Sequence, residues 1–263
     1  METRGAADRP LRGKRVLITR AREQADALAR LLVEAGAEPV IAPVIQFEPP
    51  ERWDEVDRAA ADLASYDWVV FTSANGVRFF LRRLEALGKD PRALAAAHLA
   101  AIGPATASAL SDAGLRAELV PTEYVAEAVA EALAARGIAG RRILVARAAE
   151  ARETLVARLG RAGAVVDEVP VYRTVGSAEA SERLRQLLVS GGVDAVTLTS
   201  SSTARYLIEA LGGSAEPLAT VAVACIGPIT AATARDLGLR VDVVAAEYTA
   251  PGLVRALIEH YGR

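Results

Sequence analysis

The chain has little of what most catalytic sites are built from. It holds a single cysteine, Cys225, and two histidines, His98 and His260. One cysteine excludes an internal disulfide, and with only two histidines no familiar zinc spacing can be assembled. Cys225 sits in an apolar, strand-like run, which predicts a buried structural thiol rather than a nucleophile. His260 falls in the C-terminal helical stretch and is expected to be solvated. Aromatic residues make up only 5% of the chain. Apolar runs break off well before membrane-spanning length, and Met1–Lys14 is polar and charged, without the apolar core of a signal peptide. No membrane contact and a cytoplasmic location are therefore expected. Charge of one sign is also missing: the net charge is −2, so nothing attracts nucleic acid or anionic lipid in general. Lysine is nearly absent, with Lys14 and Lys89 alone among 31 basic residues. A GC-rich genome explains that bias, although arginine also grips carboxylates in a planar fork.

Familiar nucleotide and hydrolase motifs are missing too. Thr19-Arg20-Ala21-Arg22 stands where a G-x-G-x-x-G loop would follow the first strand. There is no Walker lysine, no nucleophile elbow, no metal-binding cluster, and no acid cluster of the kind a phosphorylation receiver carries. The chemistry is therefore expected to ask little of side chains, and no metal or organic cofactor is expected.

What is present is a duplication. Ile102-Gly103-Pro104-Ala105-Thr106-Ala107 returns 124 residues later as Ile226-Gly227-Pro228-Ile229-Thr230-Ala231. Glu123-Tyr124 returns as Glu247-Tyr248 in the same register. Upstream the offset is 127: Val16-Leu17-Ile18-Thr19-Arg20 matches Ile143-Leu144-Val145-Ala146-Arg147, Pro43-Val44 matches Pro170-Val171, and Thr72-Ser73 matches Thr199-Ser200. At 263 residues, two similar lobes of ordinary domain size are predicted, with a ligand cleft between them.

Short apolar runs alternate with helical spacing from end to end. Strands are predicted at 15–19, 38–41, 68–72, 99–102, 117–120, 142–146, 165–169, 195–198, 221–226 and 241–244. Between them lie amphipathic stretches such as 24–35, where Leu28, Leu31 and Leu32 share a face. Gly36, Gly114, Gly163 and Gly238 follow such stretches as helix-ending glycines. This alternation reads as α/β, with parallel sheets covered by helices. The proline-containing segments at 43–50 and 170–174 break the pattern and read as connectors. One lobe would then be discontinuous, 1–43 plus 174–263, the other would be 48–169, and the connectors would be about 44–47 and 170–173.

In open parallel sheets ligands sit beyond the carboxyl ends of the strands. Small polar turns fall there: Thr72-Ser73-Ala74, Gly103-Pro104 with Thr106, Ser200-Ser201, and Gly227 with Thr230. Arg20 and Arg147 end the first strand of each repeat. Any one turn is ordinary helix punctuation, since Ser and Thr are common N-caps and Gly-Pro a common helix start. Gathered together, their helix N-termini would cradle an anionic ligand with many carboxylates.

These motifs, in their order and spacing, resemble the uroporphyrinogen-III synthase family along nearly the whole chain. The resemblance rests on 16–20, 71–77, 102–106, 170–174, 198–201 and 226–231. It implies two flavodoxin-like lobes with parallel sheets, joined by a two-stranded extended connector. Two thin connectors and no obvious apolar patch between the lobes lead us to expect hinge motion. It implies a cytoplasmic hydro-lyase of heme and tetrapyrrole biosynthesis that needs no cofactor. Such an enzyme cyclises linear hydroxymethylbilane to uroporphyrinogen III with loss of water and inversion of ring D, through azafulvene and spiro intermediates. It also implies that Tyr172, in the second connector, faces the cleft and donates a proton to the leaving hydroxyl. Without the resemblance Tyr172 reads as an amphipathic hinge tyrosine with its hydroxyl in water. Thr72, Ser73, Thr106, Ser200, Ser201 and Thr230 become candidates to bind substrate carboxylates, together with Ala74, Gly103, Pro104 and Gly227 of the same turns. Arg20 and Arg147 are weaker candidates. Tyr124 and Tyr248 are expected to share a structural role at a helix start. The competing reading is a non-enzymatic two-lobed module that binds or senses a tetrapyrrole or small anion. A monomer is expected, with handover of substrate from the preceding pathway enzyme.

Overall fold

The computed structural model describes residues 9–151 and 153–262. The polar start of the chain, read above as lacking a signal peptide, thus lies largely outside the described residues. The chain divides into two compact units. Unit 1 comprises 1–46 and 175–263, and unit 2 comprises 47–174.

Unit 1 is built on β1 (Arg15–Ile18), β2 (Glu38–Ile41), β8 (Ala195–Leu198), β9 (Ala222–Cys225) and β10 (Val243–Val244), in sheet order β10-β9-β8-β1-β2. All four pairings are parallel. Taken in chain order this is the 2-1-3-4-5 arrangement of flavodoxin-like sheets. The central strands β8 and β9 are buried along their whole length, as expected when helices cover both faces. The helices are α1 (Arg22–Glu34), α7 (Ala178–Val189), α8 (Ser201–Ala210), α9 (Pro228–Asp236) and α10 (Ala250–Tyr261). On α1 the buried stripe is Ala25, Leu28 and Leu32, with Leu31 at its margin. Cys225 is fully buried, and burial pushes its thiol up to about 11. A buried threonine pair ties β1 to β8: Thr19 Oγ1 donates to the Thr197 carbonyl at 2.7 Å, and Thr197 Oγ1 donates to the Leu17 carbonyl at 2.9 Å.

Unit 2 carries β4 (Trp68–Phe71), β5 (His98–Ala101), β6 (Arg142–Ala148) and most of β7 (Val165–Gly176). The sheet order is β3-β7-β6-β4-β5, where β3 is Ile45–Glu48. Its helices are α2 (Asp54–Ala61), α3 (Ala74–Ala86), α4 (Pro104–Asp112), α5 (Ala126–Ala134) and α6 (Thr154–Arg161). One apolar cluster, including Phe71, Phe80, Leu84 and Leu144, packs on one sheet face; another, including Trp68, Val70, Leu133 and Ile143, packs on the other. The glycines at 36, 114, 163 and 238 end their helices with φ between +74° and +92°, the left-handed region that favours glycine.

Two local expectations need correction. The segment 117–120 does not form a strand; Leu119 makes a single parallel bridge to Ala100. It runs beside β5 at the sheet edge, where Glu118 N–H donates to the Leu99 carbonyl at 2.8 Å and the Leu119 carbonyl accepts from Ala101 N–H at 2.9 Å. The strand predicted to stop at Val169 continues to Gly176. Pro170 stays in register with Arg147, and the ladder slips by one residue immediately afterwards, where Ala148 pairs with Tyr172. A bulge next to a residue without an N–H is how a strand accommodates proline.

Candidate functional site

Each predicted turn stands directly after a strand and opens a helix. In unit 2, Ser73 caps α3: its Oγ accepts from Gly76 N–H at 2.9 Å. Ala74 is the first residue of that helix, and Thr72 Oγ1 reaches the Ala146 carbonyl at 3.4 Å. Gly103 precedes α4, whose first residue is Pro104, and Thr106 is buried in the first turn. In unit 1, Ser200 caps α8, Ser201 is its first residue, Gly227 precedes α9, and Thr230 is buried in the first turn. The structure therefore brings the candidates of each unit to the carboxyl ends of neighbouring strands, β4 and β5 in unit 2 and β8 and β9 in unit 1.

The turns are of two kinds. Ser73 and Ser200 satisfy an orphan amide of their own helices. Gly103 and Gly227 bring no side-chain oxygen, so α4 and α9 begin uncapped by any side chain. Their first-turn N–H groups, with the positive end of the helix dipole, suit a carboxylate. Ser201 Oγ lies 2.8 Å from Thr233 Oγ1. Thr233 spends its one proton on the Ile229 carbonyl at 3.1 Å, so Ser201 is the donor of that pair and keeps its lone pairs.

Tyr172 is only 7% exposed. Phe79 stacks on its ring and Phe47 meets it edge-on, each with centroids 5.6 Å away. Its hydroxyl is not in water alone: it lies 3.1 Å from Ser73 Oγ. Burial pushes the phenol up from its ordinary range; the Ser73 contact works against that rise and the Glu150 carboxylate adds to it.

The two arginines differ. Arg20 Nη2 donates to Gln24 at 3.0 Å, while its Nε is buried with no hydrogen-bond partner, and burial lowers its pKa. Arg147 is in ion-pair contact with Glu168 and donates to the Ala151 carbonyl, although Nε and Glu168 Oε1 lack a well-directed hydrogen bond. Arg147 is thus engaged within its own unit. Tyr124 and Tyr248 are 60% and 66% exposed, each against the glycine that precedes a helix. Among the described residues no cluster of three or more His, Cys, Asp or Glu could hold a metal ion, and no helix is long and apolar enough to cross a membrane.

The family model described as uroporphyrinogen-III synthase HemD matches residues 26–255. A uroporphyrinogen-III synthase of Synechococcus elongatus is 34% identical over 263 residues, covering 98% of each chain. The chain belongs to the uroporphyrinogen-III synthase family. A porphyrin biosynthesis protein HemD of Ruminiclostridium josui is 32% identical and covers 95% of this chain, which spans 49% of that longer protein. Crystal structures of the synthases of Thermus thermophilus and Helicobacter pylori share the fold, with TM-scores of 0.65 and 0.64. Identities are 23% and 17%, covering 95% and 94% of this chain and 99% of each structure. For this family member, sequence reasoning missed the aromatic walls of Tyr172 and its link to Ser73, because 99 residues separate the two hydroxyls in the chain. Gly76 and Thr203, which close the two polar turns at the same position in the two repeats, carry no role in the sequence reading.

Proposed function

We propose that the protein converts hydroxymethylbilane to uroporphyrinogen III. The observation that carries this reading is the 34% identity to the Synechococcus elongatus synthase over 98% of both chains. The site geometry supports the following roles. The uncapped starts of α4 and α9, with the hydroxyls around them, bind side-chain carboxylates of the tetrapyrrole: Gly103, Pro104 and Thr106 in unit 2, Gly227 and Thr230 in unit 1. Thr72, Ala74, Ser200, Ser201 and Arg20 line the neighbouring strand ends and extend this set. Arg147, paired with Glu168, has a weaker claim.

Tyr172 delivers its proton to the terminal hydroxyl. The C–O bond breaks, water leaves, and the pyrrole nitrogen lone pair stabilises the resulting azafulvene cation. The substituted carbon of ring D attacks it to give a spiro intermediate. That intermediate reopens and recloses at the free carbon of ring D, and the proton lost on rearomatisation returns to the phenolate. Spontaneous closure gives the uninverted isomer, so the enzyme's task is mainly to fix which carbon lies nearer. Proton donation is a smaller contribution.

Incubating purified protein with hydroxymethylbilane and separating the oxidised isomers tests the reading. The III isomer is expected in excess. Only the spontaneous isomer would overturn the assignment and leave a binding or sensing module.

A further inference from the structure

The two repeats part company at one turn. The offset that equates Ser73 with Ser200 also equates Gly76 with Thr203 and Tyr172 with Ile45. In unit 1 the cap serine is closed upon its own turn. Ser200 Oγ accepts from Thr203 N–H at 3.1 Å, Ser200 N–H donates to Thr203 Oγ1 at 3.1 Å, and Thr203 Oγ1 donates to the Ser200 carbonyl at 2.7 Å. In unit 2 Gly76 has no side chain with which to do this. A β-carbon there would stand 3.2 Å from Ser73 Oγ and 3.5 Å from the Ala146 carbonyl. Ser73 Oγ instead has Gly76 N–H on one side at 2.9 Å and Tyr172 Oη on the other at 3.1 Å.

A serine hydroxyl has one proton and two lone pairs. Gly76 N–H occupies one lone pair, so the proton is available for Tyr172. Two arrangements satisfy the geometry, and they have opposite consequences. If Tyr172 donates to Ser73, its proton is tied up in the protein. If Ser73 donates to Tyr172, the phenolic proton is left for a substrate atom. The second also suits the buried phenol after it has given its proton away, because a donor then already faces the oxygen.

We propose that Ser73 is a positioning residue, which donates its hydroxyl proton to Tyr172 Oη and leaves the phenolic proton for the substrate's leaving hydroxyl, and that Gly76 keeps the serine available for this. Proton handling then belongs to unit 2 alone, where the repeat has exchanged a self-closed capping turn for a serine shared with a tyrosine. The corresponding turn of unit 1, with Ile45 in place of the phenol, serves binding only.

This inference rests on the reading of Tyr172 as the proton donor, and the experiment separates the two. Four variants are compared with the wild type: Ser73→Ala, Ser73→Thr, Tyr172→Phe and the Ser73→Ala/Tyr172→Phe double. Thermal unfolding reports the lost helix cap, and kcat and KM for III-isomer formation report the site. Ser73→Ala is expected to lower kcat at least about fivefold with KM nearly unchanged, and Ser73→Thr to restore it, while the double variant is no slower than Tyr172→Phe alone. The alkaline limb of the kcat–pH profile should move to higher pH in Ser73→Ala, because the serine contact opposes the burial of the phenol. Wild-type kcat in Ser73→Ala, or multiplied losses in the double variant, would overturn the positioning role while leaving Tyr172 in place. A fully active Tyr172→Phe would remove the proton donor itself.

Discussion

The ring of Tyr124 rests on Gly103: a β-carbon on the glycine would come 3.1 Å from Tyr124 Cγ. Gly227 stands in the same relation to Tyr248, at 3.0 Å from Cδ1. Both glycines are extended, with φ of −170° and −177°, so backbone strain does not require glycine at either place. Room for the ring does. Both rings are largely exposed and can swing aside, although at Gly103 Tyr124 Cβ also stands at 3.3 Å and must yield by a few tenths of an ångström. Gly103→Ala and Gly227→Ala should therefore cost less than about 1 kcal/mol of stability while raising KM severalfold, because the displaced ring disturbs the helix start proposed to hold carboxylates. Denaturant melts and steady-state kinetics check this. A loss above about 3 kcal/mol with KM unchanged would make the contact purely structural.

Tyr172→Phe should lower kcat for the III isomer by about tenfold or more, with little change in KM. The protein should stay folded, since the ring keeps Phe47 and Phe79 and only one hydrogen bond is lost, worth about 1 kcal/mol. Isomer-resolved turnover and a thermal melt measure the two effects separately. Unchanged turnover would remove the phenol from the chemistry.

Thr106 and Thr230 occupy equivalent places, 3% and 5% exposed, in the first turns of α4 and α9. If carboxylates are held mainly by backbone N–H groups, neither hydroxyl is essential. Thr106→Ala and Thr230→Ala should each raise KM by less than about tenfold, about 1.4 kcal/mol of binding. A folded but inactive Thr106→Ala protein would show that side-chain chemistry at this turn has been underrated.

The Arg147–Glu168 pair, with side chains 15% and 25% exposed, is partly shielded from water. Glu168→Gln would leave the guanidinium without its counter-charge. A loss of about 1–3 kcal/mol is expected, less than for a fully buried pair because solvent still reaches both groups. Urea unfolding at two salt concentrations measures it. No loss at low salt would mean that the pair contributes nothing.

Cys225 gives a pH dependence whose sign can be worked out. Its thiol is raised from an ordinary 9.0 to about 11 by burial. Below pH 9 both folded and unfolded chains keep the proton. Between 9 and about 11 the unfolded chain loses it while the native chain does not, so stability falls as pH rises through that window. Melting temperature measured from pH 8 to 11 should fall less steeply in Cys225→Ala, which removes the thiol without overfilling its buried site. Equal slopes would remove the thiol from the alkaline transition. In the native protein at pH 8 the thiol should resist a disulfide reagent until unfolding.

Much of this architecture was legible because its signals are local. Gly36 and Gly163 announce helix ends through a backbone conformation that glycine adopts freely, and Pro104 and Pro228 mark first helical positions through an N–H the helix does not need. The sheets followed from strands too uniformly apolar to face water. What escaped was set by distance or by edges. Residues 117–120 have the composition of a strand, but ladder formation depends on neighbours the pattern cannot count. The continuation of β7 past Pro170 depends on a bulge that no residue type announces. Tyr172 and Ser73 each carry a signal of their own, yet their contact joins β7 to a helix cap far away in the chain. The exchange of Thr203 for Gly76 is visible in the duplication, but its meaning lies in the different hydrogen bonds of the two caps.

The order of strands in unit 1 also bears on how the protein is made. β1 lies between β2 and β8, and the Thr19–Thr197 hydrogen bond joins it to a strand that begins only at Ala195. A ribosome therefore releases β1 and β2 long before their central partner exists, whereas unit 2 is contiguous from 47 to 174 and can close as soon as its last strand emerges. The first strand to be synthesised must wait, unpaired on one edge, through the birth of an entire neighbouring domain. A released fragment ending at residue 180 should show unit 2 folded while β1 and β2 lack the rest of their sheet.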